Sequence, residues 1–241
     1  NRFILFWKEE VPAAVYAARK QMGYAFIIFI VAGIMGALSA AYDDTFVRLI
    51  LGEEYVNMTL ENIKNGNPTK IYASGDEMDM FFQITLNNIM VSLKIFVFGV
   101  FFSLGTGLSL FYNAIMVGAF MMFFYNESQL AQGFPVIMLH GTIELTSIVI
   151  AAAAGFVMGN GILFPGTYSR FASFKMGAIK GLKIVIGLVP FFILAGFIES
   201  FITRYAFMHW SLKVAIIGLS TILMIYYFVL YPRQLKRNGR I

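Results

Sequence analysis

Residues Phe134–Pro165, FPVIMLHGTIELTSIVIAAAAGFVMGNGILFP, form a stretch that is long and apolar enough to cross a bilayer as one helix. Pro135 is tolerated in the first turn of a helix and predicts that the helix begins there. His140 and Glu144 lie four positions apart, so they share one helix face. Because charge is costly inside a bilayer, these two residues indicate a functional site within the membrane.

The whole chain has the composition of a membrane protein. Of its 241 residues, 59% are hydrophobic and 13% are charged. Each membrane span needs roughly 20 apolar residues, so the length fits a single transmembrane domain, residues 1–241, and leaves no room for a second folded domain. The chain has no cysteine, which excludes disulfides, thiolate metal ligands and a cysteine nucleophile.

The distribution of charge predicts the topology. The net charge is +5, but the basic residues form short clusters beside apolar stretches, a pattern that indicates cytoplasmic loops rather than nucleic-acid binding. The segment 43–85 is acidic and is therefore predicted to be extracytoplasmic. We predict an all-α, polytopic transmembrane helix bundle of about six spans, with both N- and C-termini in the cytoplasm.

The apolar runs give approximate boundaries for these spans. Span 3 is assigned because an odd number of crossings must join the acidic outer loop to the basic connection that follows span 4. Residues 1–21 are predicted to form an interfacial amphipathic helix, and the amphipathic loop 43–85 to form a pair of short helices on the outer surface. The predicted spans are residues 22–42, 86–112, 113–132, 134–165, 182–203 and 212–231.

This topology predicts an intramembrane polar site near the outer surface. Span 4 enters the membrane from outside at His140 and Glu144, and span 5 leaves towards the outside at Glu199. Span 2 begins at Asn87 and Asn88, at a similar depth. Because lipid is the worse alternative for all five side chains, we expect them to face one another.

Two interpretations of this site stay open. The residues either form an interhelical hydrogen-bond network that fixes helix packing, at ~0.6 kcal/mol per bond, or bind a proton or cation. If a metal is bound at all, its ligands are His140, Glu144 and Glu199, which are chemically sufficient for a divalent ion.

Small residues at helical spacing predict where helices approach one another closely. They also permit a homodimer, without requiring one. The predicted packing positions are Gly141, Gly155, Gly159 and Gly196.

No motif for catalysis is present in the sequence. There is no HExxH, which would place two imidazoles and a base on one helix face, and no GxSxG nucleophile elbow or Gly-rich phosphate loop. We therefore assign no catalytic residues and expect no cofactor.

Several motifs resemble the stage II sporulation protein M family, a large prokaryotic group of integral membrane proteins. The pattern P-x(4)-HG-x(2)-EL begins at Pro135 and is followed by an Ala-rich segment ending in Gly155. The Asn87–Asn88 pair and the run AGFIESFIT at 195–203 extend the resemblance. The resemblance implies a multi-pass protein of a prokaryotic inner (plasma) membrane. The namesake recruits cell-wall-degrading enzymes during engulfment of the forespore, whereas many relatives come from organisms that make no spores.

We therefore expect a non-enzymatic membrane scaffold or assembly protein whose acidic outer loop and amphipathic N-terminus bind cell-envelope protein partners. The alternative is a transporter or channel-like permease in which His140, Glu144 and Glu199 line the path. A third hypothesis is an intramembrane metal-dependent hydrolase. Besides proteins, the expected partner is the lipid bilayer, and no nucleic-acid partner is expected.

Overall fold

The computed structural model describes residues 2–68, 76–204 and 208–241, and within these ranges the regular secondary structure is entirely helical. Three π-helical segments, Phe6–Glu10, Ile198–Thr203 and Tyr226–Leu230, and one 3-10 turn, Phe98–Val100, join or extend the α-helices. The α-helices are α1 (Arg2–Leu5), α2 (Val11–Ala17), α3 (Arg19–Tyr42), α4 (Asp44–Leu51), α5 (Glu53–Lys64), α6 (Glu77–Val97), α7 (Leu104–Asn126), α8 (Leu130–Leu163), α9 (Arg170–Phe197), α10 (Trp210–Ile225) and α11 (Tyr231–Arg237).

Six helical segments of the described chain are long and apolar enough to cross a membrane. They confirm the predicted all-α, polytopic membrane bundle. Spans 1 to 6 are Arg19–Tyr42, Glu77–Val100, Leu104–Asn126, Leu130–Leu163, Arg170–Thr203 and Trp210–Arg237.

The predicted boundary between spans 2 and 3 is wrong. The chain turns at residues 101–103, where Phe102 and Ser103 adopt positive φ angles of 55° and 65°, whereas the sequence predicted a continuous span to residue 112. The turn reads FFS and lies between apolar residues, so no change in hydropathy indicates it. Pro135 is likewise not at the start of its helix, because α8 begins at Leu130.

Helix α8 is the central element of the bundle. Its four consecutive alanines, Ala151–Ala154, have no exposed surface, and α8 packs against α3, α6, α7, α9 and α10. Small side chains allow this close packing, because they let neighbouring backbones approach one another.

A second close contact joins α3 to α7 through glycines. A Cβ atom added at Gly118 would lie 2.8 Å from the Gly33 carbonyl carbon and 2.9 Å from the Ala37 backbone nitrogen. A Cβ at Gly36 would lie 2.8 Å from Cα of Ile115. Glycine at these positions therefore permits direct backbone contact between the two helices.

The apolar face of the N-terminal segment packs on the protein itself. Val11 and Val15 of α2 are fully buried in the largest apolar cluster. The hydroxyl of Tyr227 donates to the Trp7 carbonyl at 2.8 Å, and that of Tyr231 donates to the Lys8 carbonyl at 3.0 Å. These contacts hold the N-terminal segment beside the C-terminal end of span 6.

Helices α4 and α5 cover one end of the bundle. Val47 of α4 and Val56 of α5 are buried against Ala40, Phe123 and Phe124, at the ends of α3 and α7. Two short helices are therefore seated on the spans in the first part of the acidic segment. Residues 77–85, which the sequence analysis placed in the loop, belong to span 2, and residues 69–75 lie outside the described residues.

Candidate intramembrane site

The side chains of His140, Glu144 and Glu199 converge inside the bundle. One ligand atom from each of the three lies within 4.8 Å of the others, and Nε2 of His140 is 3.9 Å from Oε2 of Glu199. His140 and Glu144 come from one face of α8, as their spacing predicted, and Glu199 comes from span 5. Two spans therefore contribute the three ionisable groups.

The position of Glu199 depends on the π-helical segment Ile198–Thr203, which continues α9. In this segment the Thr203 hydroxyl donates to the Ile198 carbonyl at 3.1 Å, across five residues. A π-helical turn in an α-helix is rare and frequently marks a functional site. Here it places Glu199 and Thr203 on the side of span 5 that faces His140.

Thr203 is the hydrogen-bond partner of Nδ1 of His140. Nδ1 of His140 lies 3.3 Å from Oγ1 of Thr203, whose single proton is already donated to the Ile198 carbonyl. With that proton on the Ile198 carbonyl, Oγ1 accepts from Nδ1–H, and the neutral imidazole of this tautomer presents the lone pair of Nε2 to Glu199. Thr203 was not identified from the sequence, because only the π-helical turn brings it next to His140.

Asn88 is the polar neighbour from a third span. It is 4% exposed, its side chain is oriented towards the Glu144 carboxylate, and its Nδ2 does not reach the geometry of a full hydrogen bond in the described structure. Asn87 is exposed and is not part of the cluster, because one residue along a helix turns the side chain by about 100°.

A cavity of about 330 Å³ reaches His140 and Glu144 from the side of the bundle where α5 meets α7. Tyr55 of α5 and Phe120 of α7 contribute to its wall. Burial raises the pKa of Tyr55 to about 12, so its phenol stays neutral at physiological pH. Tyr55 was missed from the sequence, where it is one of many aromatic residues.

Comparison with known proteins identifies the family. The family model described as stage II sporulation protein M matches residues 25–204, which is most of the chain. The chain belongs to the stage II sporulation protein M family. Searches of the curated proteins and of the solved structures found no match. The family match confirms the resemblance based on the HGxxEL motif, and it includes every residue of the polar cluster.

In this stage II sporulation protein M family member, three of the four predicted packing glycines lie at helix contacts. A Cβ at Gly155 would lie 3.0 Å from the Ile95 carbonyl oxygen, and one at Gly159 would lie 2.6 Å from the Gly99 carbonyl oxygen. Gly196 lies against Thr85 of α6. Gly141 instead lines the cavity, and a Cβ there would be at least 3.6 Å from its nearest neighbours.

Beyond Ser147, one turn after Glu144, the next polar side chain of α8 is Asn160. Ser147 is fully buried, and the residues that follow it, from Ile148 to Ala154, are apolar and at most 8% exposed. Along the described length of α8, the cluster is therefore separated from the far end of the helix by a packed apolar segment. The arrangement can bind a cation or share a proton locally.

Proposed function

We propose that this protein is a non-enzymatic scaffold or assembly protein of a prokaryotic inner (plasma) membrane, which recruits a cell-envelope protein through α4 and α5. The observation that carries this proposal is the exposed acidic surface of these two helices. Its carboxylates fit a partner with a basic surface. The acidic residues are Asp43, Asp44, Glu53, Glu54 and Glu61, all exposed.

This acidic surface is held in one arrangement before any partner binds. Arg48 pairs with Asp44 at 3.0 Å and with Glu53 at 3.1 Å, and it donates to Asn57 Oδ1 at 2.8 Å. The apolar faces of α4 and α5 pack on the ends of the spans. A surface that is already ordered loses less entropy when a partner binds.

Family membership supports an integral membrane protein of the stage II sporulation protein M family. The packed apolar segment of α8 does not favour the alternative, a transporter or channel-like permease. A permease needs polar groups or an aqueous cavity that continue across the bilayer. In the described chain, α8 presents only apolar side chains to the core from Ile148 to Ala154.

The proposal is tested by charge reversal on α5. Glu54 and Glu61 are seven positions apart and lie on one helix face, and neither takes part in the Arg48 pairs. We expect Glu54→Lys/Glu61→Lys to reduce the amount of envelope protein that crosslinks to the chain in native membranes by about tenfold, equivalent to ~1.4 kcal/mol. The matched control is Asp79→Lys/Glu127→Lys, which changes the net charge by the same amount and leaves α4 and α5 intact.

Two results would contradict the proposal. One is crosslinking that is unchanged by the double charge reversal. The other is proton or ion flux into liposomes containing the wild-type chain that disappears in Glu144→Gln, because it would show a permease instead.

A further inference from the structure

We propose that His140, Glu144 and Glu199 bind one divalent transition-metal ion of the zinc class. This metal site would join spans 4 and 5 of the bundle. It goes beyond the proposed scaffold function, which depends on the short helices α4 and α5 and does not require a metal.

The distances fit a metal ion. Bonds from zinc to imidazole nitrogen or carboxylate oxygen are about 2.0–2.2 Å long, so two ligand atoms on one tetrahedral ion are about 3.4 Å apart. Nε2 of His140 and Oε2 of Glu199 are 3.9 Å apart. The three ligand atoms lie within 4.8 Å, so a small side-chain rotation brings the whole set within bonding distance.

The electrostatics of the cluster also favour a cation. Nε2 of His140 lies 3.9 Å from a carboxylate oxygen of Glu199, and Glu144 adds a second carboxylate within 4.8 Å, so one imidazole and two carboxylates are available to a single cation. None of the ion pairs of the described residues joins Glu144 or Glu199 to Lys or Arg. A divalent ion with two carboxylates and a neutral imidazole carries no net charge, which minimises the cost of the site inside the bilayer.

The surroundings of the cluster supply the outer contacts that metal ligands need. A histidine ligand generally donates its second ring N–H to an acceptor that fixes the ring and its tautomer, and Oγ1 of Thr203 lies 3.3 Å from Nδ1 of His140, where it can accept in this way. Asn88 is buried and faces Glu144, and its Nδ2 has no full hydrogen bond in the described structure. It is placed to orient that carboxylate on an ion.

The choice of ion follows from the donors. Imidazole together with carboxylates suits zinc and neighbouring transition metals, whereas magnesium and calcium prefer oxygen alone. Three protein ligands leave a fourth position for water, and the cavity beside His140 and Glu144 has room for it.

The test measures metal on the 241-residue chain, purified without a tag in nanodiscs and stripped with a chelator. After dialysis against equimolar Zn²⁺ and Mg²⁺, we expect about one zinc per chain by mass spectrometry and higher thermal stability than in the stripped protein. His140→Ala and Glu199→Gln should each retain less than a tenth of that zinc. His209→Ala, which removes the other histidine, should retain all of it.

Thr203→Val tests the outer contact while keeping the size of the side chain and all three ligands. Loss of the hydrogen bond to Nδ1 should weaken zinc binding by about 10–100-fold, and Thr203→Ser should restore it. Co²⁺ in place of zinc should give visible absorption bands that shift in Thr203→Val and disappear in His140→Ala.

The proposal is overturned if the wild-type chain retains no zinc after dialysis. It is also overturned if His140→Ala binds zinc as tightly as the wild type, or if Thr203→Val does. Either variant would then show that zinc is not held by the imidazole of His140 and that the cluster serves helix packing.

Discussion

Nε2 of His140 lies 3.9 Å from a carboxylate oxygen of Glu199, and this contact links α8 to the π-helical segment after α9. Thr203 in the same segment holds Nδ1 on the other side of the ring. The imidazole is therefore positioned from both sides by span 5. The contact between His140 and Glu199 therefore holds the ionisable groups of spans 4 and 5 at the same depth.

The topology can be tested by cysteine labelling, because the chain has no cysteine of its own. With a membrane-impermeant maleimide, Glu54→Cys should be labelled in intact cells. Arg237→Cys should be labelled only after the membrane is permeabilised. Both positions are exposed, so a difference in labelling reports the side of the membrane. The reverse pattern would show that the termini are outside.

The α3–α7 contact should not tolerate a methyl group at Gly118. In Gly118→Ala the new Cβ would lie under 3 Å from backbone atoms of Gly33 and Ala37, which cannot move aside without separating the helices. We expect a loss of ~1–3 kcal/mol in stability, measured by thermal unfolding in detergent. Gly218→Ala is the control, since no atom lies within 4 Å of its added Cβ. Equal unfolding temperatures for the two variants would contradict this packing.

The N-terminal segment should loosen when its tyrosine hydrogen bonds are removed. Tyr227→Phe and Tyr231→Phe each keep the ring and lose one bond to a backbone carbonyl, at Trp7 or Lys8. A bond of this kind contributes ~1 kcal/mol, so hydrogen exchange in residues 2–17 should become several-fold faster. Tyr226→Phe, at an exposed neighbouring position, should leave the exchange unchanged. Equal exchange in all three variants would exclude this role for the hydroxyl groups.

Arg48→Ala should release α4 from α5 without unfolding the bundle. The hydrogen bond from Arg48 to Asp44 raises the pKa of the guanidinium, so Arg48 is charged at any physiological pH. Because exposed ion pairs contribute little to stability, the unfolding temperature of the spans should hardly change. Hydrogen exchange in Asp44–Lys64 should become faster, and Lys64→Ala serves as the control. If hydrogen exchange in Arg48→Ala is unchanged, the apolar faces of α4 and α5 are sufficient to hold these helices on the spans.

The sequence predicted some features of this protein correctly because they depend on local composition. The number of spans follows from apolar runs together with the charges of the loops between them, and the shared face of His140 and Glu144 follows from helical spacing. The boundary between spans 2 and 3 was wrong, because the turn at residues 101–103 is made of residues that also suit a helix in lipid. Hydropathy cannot distinguish a turn from a span when both are apolar.

The sequence alone determined that the chain is an all-α membrane protein and which ionisable residues lie within its spans, because the cost of placing polar groups in lipid depends on composition. Only the tertiary structure decided which of those residues meet. Asn88 joins the cluster and Asn87 does not, and Thr203 holds His140, because rotation of each helix and the π-helical turn after α9 set the side-chain directions. Those rotations result from packing between helices that are distant in the chain, which spacing along one helix does not specify.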